Sequence, residues 1–323
     1  TKKRIIQKAS DLGYSPNRLA QFLVTGKTLN IAMITPGDPL WNEVKEGANS
    51  FLAEMGNHIV KINWHETSVH DPERETEILQ RVLDKGVDGI GIAPADPKMF
   101  TGLINQAVQK NIPVVTFNTD APESKRLCFV GQDPILAGRI GGELMGKFLM
   151  GTGKVVIITA FKNVLVHRCR LNAFLMVMEE WYPGIDIEEV YENHDNEEEA
   201  YRQIKGFLSQ TRKIDGIYLT TGNGPMGVVR ALGEAGLEGQ VRIVCFDFFP
   251  DTVQLLKSDL VHATIGEDPF NQGYQTVKIL YDYAIDKKEP LNRLVHTKID
   301  IGLRENIDSL VRGSTKSLKR ELQ

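Results

Sequence analysis

The chain has 323 residues, of which 41% are hydrophobic, 25% charged and 7% aromatic, the makeup of a globular protein long enough for two buried cores. This excludes general disorder, collagen-like repeats and coiled coil as the main architecture, and no run of 18 apolar residues is present to cross a membrane. The net charge of −4 is unevenly spread: residues 1–27 carry six Lys or Arg against Asp11 alone, leaving −9 for the remainder, so a polyanion partner is expected for the basic arm only.

From Asn30 onward, short apolar runs alternate with helical periodicity. Ile31-Ala32-Met33-Ile34 is uninterrupted, as a parallel strand buried on both faces should be. A helix is predicted from about Trp41 to Met55, with Val44, Ala48, Phe51 and Leu52 at helical spacing. His58 to Ile62 reads as a strand and Asp71 to Lys85 as a helix, with Asp71-Pro72 supplying an N-cap and a first-turn proline. Gly89 to Ile92 is the next strand, followed by a helix to Lys110 and the strand Pro113 to Phe117. Strands alternating with helices of 10–15 residues imply βαβ units and a parallel sheet.

The same order then recurs. Val155 to Thr159 echoes Ile31 to Thr35, Ile214-Asp215-Gly216-Ile217 echoes Val87-Asp88-Gly89-Ile90, and Val241 to Asp247 echoes Ile112 to Asn118. Three matches in one order predict an α/β fold of two doubly wound parallel-sheet lobes. Ligands of open parallel sheets sit beyond the carboxyl ends of the strands, so a cleft between facing strand ends is expected. Polar residues collect there: Asp38 and Trp41 after the first strand, Asn118 and Asp120 in the first lobe, Asn223 and Asp247 in the second, and Glu267-Asp268-Pro269 after the strand His262 to Ile265.

Residues 1–30 resemble the end of the DNA-binding headpiece of the LacI/GalR transcription regulators. Thr1-Lys2-Lys3-Arg4-Ile5-Ile6 is followed by Leu12-Gly13-Tyr14-Ser15-Pro16-Asn17-Arg18-Leu19-Ala20-Gln21-Phe22-Leu23, and that family typically has Leu-Gly-Tyr-x-Pro-Asn and then Ala-x-x-Leu. The rest resembles the ribose-binding-protein type of periplasmic sugar receptor, also the regulatory core of that family. Ile112-Pro113-Val114-Val115, Asp133 with Ala137-Gly138-Arg139, Phe246-Asp247, and Ala263-Thr264-Ile265 with Pro269 carry this likeness. It implies a headpiece and hinge remnant over 1–28 and a first lobe of 29–132 plus about 266–297. The second lobe is 133–265 plus about 298–312, and 313–323 form a disordered tail. In the family a helix-turn-helix precedes the segment with which this sequence begins, so the chain is expected to be a piece of a longer regulator. The hinge residues implied are Asn17, Arg18, Ala20 and Leu23, the leucine wedging into a DNA minor groove while basic neighbours meet phosphates; a plain surface linker is the alternative.

The resemblance also implies roles in the cleft. Trp41, with Asp38 before it, would offer an aromatic face to a sugar ring, the alternative being a core tryptophan. Arg170 would donate to two hydroxyls at once, with Arg168 as competitor. Asp247 ends a buried apolar run, where a carboxylate needs a partner, and would accept ligand hydroxyls. Asn223 is the expected amide, although Thr221 fits nearly as well and an Asn-Gly turn is a further alternative. Two positions depart from the sugar-receptor pattern. Glu267 stands where a glutamine commonly closes the site, and Asn118-Thr119 followed by Asp120 stands where Asp-Arg is frequent. With Asp38, Asp120, Asp247 and Glu267 against Arg170, the site reads as net acidic. The ligand expected is thus a neutral or amino sugar, polyol or cyclitol rather than a phosphate or an anionic purine.

Carboxylates in a cleft also describe a glycosidase, but no Gly-x-Ser-x-Gly elbow, P-loop or metal-spaced histidine pair occurs. Asp195 to Glu199 reads as helix-dipole charge. Cys128, Cys169 and Cys245 are too few and scattered for a disulfide framework or metal site and fit reduced thiols. The N-terminus has no apolar segment of the secretory kind. The reading is a non-enzymatic, cytoplasmic, homodimeric regulator core. It needs no cofactor, metal or membrane, and operator DNA is a partner of the full-length protein only. The alternative is the sugar-binding receptor of an ABC transporter, which shares fold and cleft.

Overall fold

The computed structural model describes residues 27–37, 40–55, 59–67, 71–210 and 213–314. Asp38 and the four hinge positions Asn17, Arg18, Ala20 and Leu23 lie outside the described residues. In chain order the elements are β1 (Leu29–Pro36), α1 (Leu40–Met55), β2 (Val60–Thr67), α2 (Pro72–Lys85), β3 (Gly89–Ile92), α3 (Pro97–Gln109), β4 (Val114–Phe117) and β5 (Cys128–Gly131). Then follow α4 (Pro134–Phe148), β6 (Thr152–Thr159), α5 (Leu165–Trp181), β7 (Gly184–Glu192), α6 (Glu197–Ser209), β8 (Gly216–Leu219), α7 (Pro225–Glu234), β9 (Arg242–Phe246), α8 (Pro250–Lys257) and β10 (Ala263–Gly266). The chain ends with α9 (Pro269–Asp286), β11 (Leu294–His296), β12 (Asp300–Gly302) and α10 (Ile307–Ser314). Gly313 and Ser314, expected in the tail, continue α10.

Local chemistry explains the helix starts. Asp71-Pro72, Asp96-Pro97, Asp133-Pro134 and Asp268-Pro269 each place an aspartate N-cap before a first-turn proline. Asp71 accepts from the Arg74 amide at 2.9 Å, Asp96 from Lys98 at 2.8 Å and Asp133 from Ile135 at 3.0 Å. Each carboxylate satisfies amide donors left over at a helix start.

Two six-stranded sheets result, in the orders β11-β5-β4-β3-β1-β2 and β12-β10-β9-β8-β6-β7. The orders are equivalent, which makes the sequence repeat a structural one. The equivalence extends to single hydrogen bonds. Asp88 takes the Asn30 amide at 2.8 Å and Asp215 takes the Lys154 amide at 2.8 Å. The Asn118 amide donates to Val130 and the Asp247 amide to Ile265, each at 3.0 Å. The sheets differ at one edge: β11 runs parallel to β5, whereas β12 runs antiparallel to β10. Each sheet is buried on both faces, the first between clusters around Phe117 and Phe100 and the second between clusters around Phe207 and Phe174.

The chain passes between the sheets three times, after β5, after β10 and after β11. The helix beginning at each of the first two passages packs on the first helix of the lobe it enters, α4 on α5 and α9 on α1. Contact between α1 and α9 is backbone to backbone: a Cβ on Gly273 would stand 1.9 Å from the Val44 carbonyl oxygen. The three passages are tied together. The Gln132 amide donates to the Gly266 carbonyl at 2.9 Å, and the Thr297 hydroxyl donates to the Glu267 carbonyl at 2.9 Å. These segments form the floor of the cleft between the lobes.

Candidate functional site

Trp41, Asn118, His167, Arg170, Asp195, Thr221, Asn223, Asp247, Phe249 and Glu267, with Leu40 and Val166, line a cleft at the facing strand ends. Two of its polar residues sit at equivalent points in the two lobes. Asn118 follows β4 and Asp247 follows β9, and both hold left-handed backbone, with φ of 62° and 64°. Asn and Asp tolerate that conformation better than most residues, which fits these types directly after a buried strand.

Arg170 projects from α5 and is 2% exposed. Its Nη1 donates to the Thr220 carbonyl at 3.0 Å, and its Nη2 donates to Gln132 Oε1 at 2.9 Å and to Glu267 Oε2 at 2.5 Å. The guanidinium lies over the Phe246 ring, 3.8 Å from its centroid. Glu267, itself 3% exposed, also accepts from Asn118 Nδ2 at 2.7 Å through its other oxygen. Asn118 of the first lobe and Arg170 of the second thus meet on one carboxylate at the second passage.

The rest of the second-lobe wall is built on β7 and β8. Asp195, three residues beyond β7 and also in left-handed backbone, accepts from the Thr221 hydroxyl at 2.6 Å. The Thr221 oxygen in turn accepts from the Asn223 amide at 3.2 Å. The Thr264 hydroxyl donates to the Asp247 carbonyl at 2.7 Å, fixing the turn that presents the Asp247 side chain. Free space between the walls is about 30 Å³, far below the several hundred Å³ of typical ligand pockets. The cleft is narrow in this structure.

Of the residues expected at the site, Trp41, Asn118, Arg170, Asn223, Asp247 and Glu267 converge on this cleft. Trp41 is also 1% exposed and meets Phe117 edge to face, with centroids 5.9 Å apart, so it is a core residue that also lines the cleft. Between the two arginines, Arg170 lines the cleft. Asp120 is not among the lining residues. Its carboxylate turns into the first lobe, pairs with Arg126 through Nε and, at 2.5 Å, through Nη2, and accepts from Thr116 at 2.6 Å and from the Ala121 amide at 2.7 Å.

The acidic run after β7 requires a second correction. Glu197 carries more than helix-dipole charge, because it accepts from the amides of Gly224 and Gly227, both at 2.7 Å, and Asp195 lines the cleft. His167 and Phe249 also line it without having been anticipated; the wall they join forms only when β7 and β9 are placed beside β6 and β8. Just outside, burial pushes the Glu43 carboxyl up, with Glu46, Asp268 and Glu267 adding repulsion. Among the described residues no group of His, Cys, Asp and Glu is arranged to hold a metal, and the three cysteines are free thiols. No helix among them is long and apolar enough to cross a membrane.

Comparison with known proteins matches this architecture. The ribose import binding protein RbsB of Escherichia coli is 22% identical over 82% of this chain and 88% of its own length. The HTH-type transcriptional repressor PurR of Pasteurella multocida is 23% identical over 96% of this chain and 90% of its own. A solute-binding protein of Burkholderia graminis solved in complex with D-arabinose superposes with a TM-score of 0.83 at 24% identity, covering 88% of this chain and 98% of that one. A sugar-binding protein of a Bacillus halodurans ABC transporter gives 0.77 at 27% identity, covering 87% and 99%. The Periplasmic binding protein domain family matches residues 30–288, and the chain belongs to that family.

Proposed function

We propose that this chain is the effector-binding core of a LacI/GalR-type transcription regulator. Its cleft takes a small neutral or amino sugar, polyol or cyclitol, and lobe closure is coupled to operator affinity through the hinge segment around Arg18 to Leu23. The observation that carries the regulator reading is the reach of the repressor match. It covers 96% of the chain and leaves about 13 residues unmatched, fewer than the 28 that precede β1, so it extends into the headpiece-like segment. The ribose receptor match covers 82%. The sugar reading rests on the cleft itself: planar amide, carboxylate and guanidinium groups from both lobes, beside Trp41 and Phe249, are the means by which vicinal hydroxyls and ring C–H faces are held.

The mechanism is linkage. A ligand shifts the equilibrium between closed and open lobes by its differential affinity for the two, and shifts operator affinity by the same amount that the operator shifts its own. Asn118 and Asp247, at equivalent strand ends, approach one another as the lobes close, and the three passages act as the hinge. A palindromic operator needs a two-fold dimer.

The ABC-transporter receptor reading is favoured by the likeness to RbsB and to solved receptors. Sedimentation of the chain with a bound sugar separates the two. The regulator reading expects a homodimer at micromolar concentration. A monomer that binds sugar equally well would transfer the chain to the receptor reading.

A further inference from the structure

Arg170 is the cleft's arginine, and its charge is already met. Both Nη atoms are bound, one of them to Glu267 at 2.5 Å, and Nε is buried with no acceptor. Neither partner can easily turn away. Phe246 stacks beneath the guanidinium. Asn118 holds the second oxygen of Glu267. The backbone carbonyl of Glu267 is clasped by Gln272 Nε2 at 3.0 Å and by the Thr297 hydroxyl at 2.9 Å. A carboxylate or phosphate on a ligand would seek the same guanidinium, because charge-assisted bonds of this kind are the strong ones. It would have to evict Glu267 and leave that carboxylate buried without a cation, which is costly. It would also face Asp195 and Asp247 across a narrow space.

We propose that Glu267 is a specificity-determining residue whose carboxylate occupies the acid-binding edge of Arg170, so that the cleft accepts neutral polyhydroxylated ligands and rejects sugar acids and sugar phosphates. The inference rests on the ligand-site reading above. It differs from a purely structural ion pair in one measurable respect: loss of a structural pair alters all ligands alike, whereas loss of this pair alters the ratio of acid to neutral binding.

The experiment titrates the chain calorimetrically with matched pairs: D-glucose and D-glucuronate, D-galactose and D-galacturonate, D-ribose and D-ribose 5-phosphate. The wild type is expected to bind the neutral member of at least one pair at least tenfold more tightly than the acid. Glu267→Gln keeps the shape but removes the charge, leaving one acceptor oxygen where two served Asn118 and Arg170, and is expected to shift that ratio at least tenfold toward the acid. Adding Arg170→Met should abolish the gain. A wild type that binds acid and neutral members equally overturns the proposal without any variant being needed, and leaves the sugar site standing. A folded Glu267→Gln chain with an unchanged ratio overturns it too. If no member of any pair binds either protein, the proposal that the cleft sorts sugars from sugar acids is overturned, whereas the amino-sugar, polyol and cyclitol part of the proposed function stands.

Discussion

A buried carboxylate needs a partner or a proton, and the first lobe contains one of each. Asp120 has its partner in Arg126, both nearly inaccessible, which explains why it faces inward although its position after β4 marks it as a cleft residue. Glu75, on α2 and fully buried, receives a single hydrogen bond, from the Ala95 amide at 3.0 Å. Burial pushes its carboxyl up from about 4.5 to about 8, the Ala95 bond lowering it and Asp71 adding repulsion. Between those two values the folded chain holds a proton that the unfolded chain has released, so stability is present in full below about pH 4.5 and declines as pH rises to about 8. Each pKa unit corresponds to about 1.4 kcal/mol, which sets a ceiling of about 5 kcal/mol on this group's effect. Glu75→Gln keeps the acceptor and removes the titration. Urea melts at pH 5 and pH 8 should show the wild type losing stability between them, and the variant losing less by a few kcal/mol. Equal losses in both proteins would remove Glu75 from the account.

At the scale of elements, packing of the exchanged helices decides how firmly the lobes are built. Gly273 and Gly47 let α9 and α1 touch through their backbones. Gly273→Ala would press a methyl into the Val44 carbonyl, and overpacking of this kind costs roughly 1–3 kcal/mol. The variant's thermal midpoint should fall by several degrees, whereas Gly102→Ala, where a Cβ meets nothing within 4 Å, should leave it unchanged or raise it. The strand-and-helix alternation was readable because β1, β3, β4, β6, β8 and β9 are short apolar runs buried on both faces. The repeat was readable because Asp88 and Asp215 perform the same backbone capping in each lobe. The antiparallel edge strand β12 is three residues long and carries no pattern of its own. The Arg170–Glu267 pair joins positions 97 residues apart. Both departures from the sugar-receptor pattern, Glu267 and Asn118-Thr119, were visible as residue types. That Glu267 answers both Asn118 and Arg170 emerges only once the three passages lie side by side. Asp120 misled for the same reason, since its partner Arg126 is near in sequence but its direction is set by the fold.

For the whole molecule, two lobes of one topology meet on polar strand ends, and the space left between them is smaller than any sugar. Under the proposed function, ligand binding involves lobe motion as well as contacts. A ligand that binds only the folded, closed chain stabilises it by about 2.7 kcal/mol at one hundred times its dissociation constant. The direct measurement is a thermal-shift screen of the chain against neutral sugars, amino sugars, polyols and cyclitols, with their phosphates and with nucleobases, repeated on Asp247→Ala. The account predicts that at least one neutral or amino-bearing polyol raises the melting midpoint by several degrees, that Asp247→Ala abolishes the shift, and that phosphates and nucleobases leave it unmoved. A midpoint raised only by phosphates or nucleobases, or a sugar shift unaffected by Asp247→Ala, would contradict it.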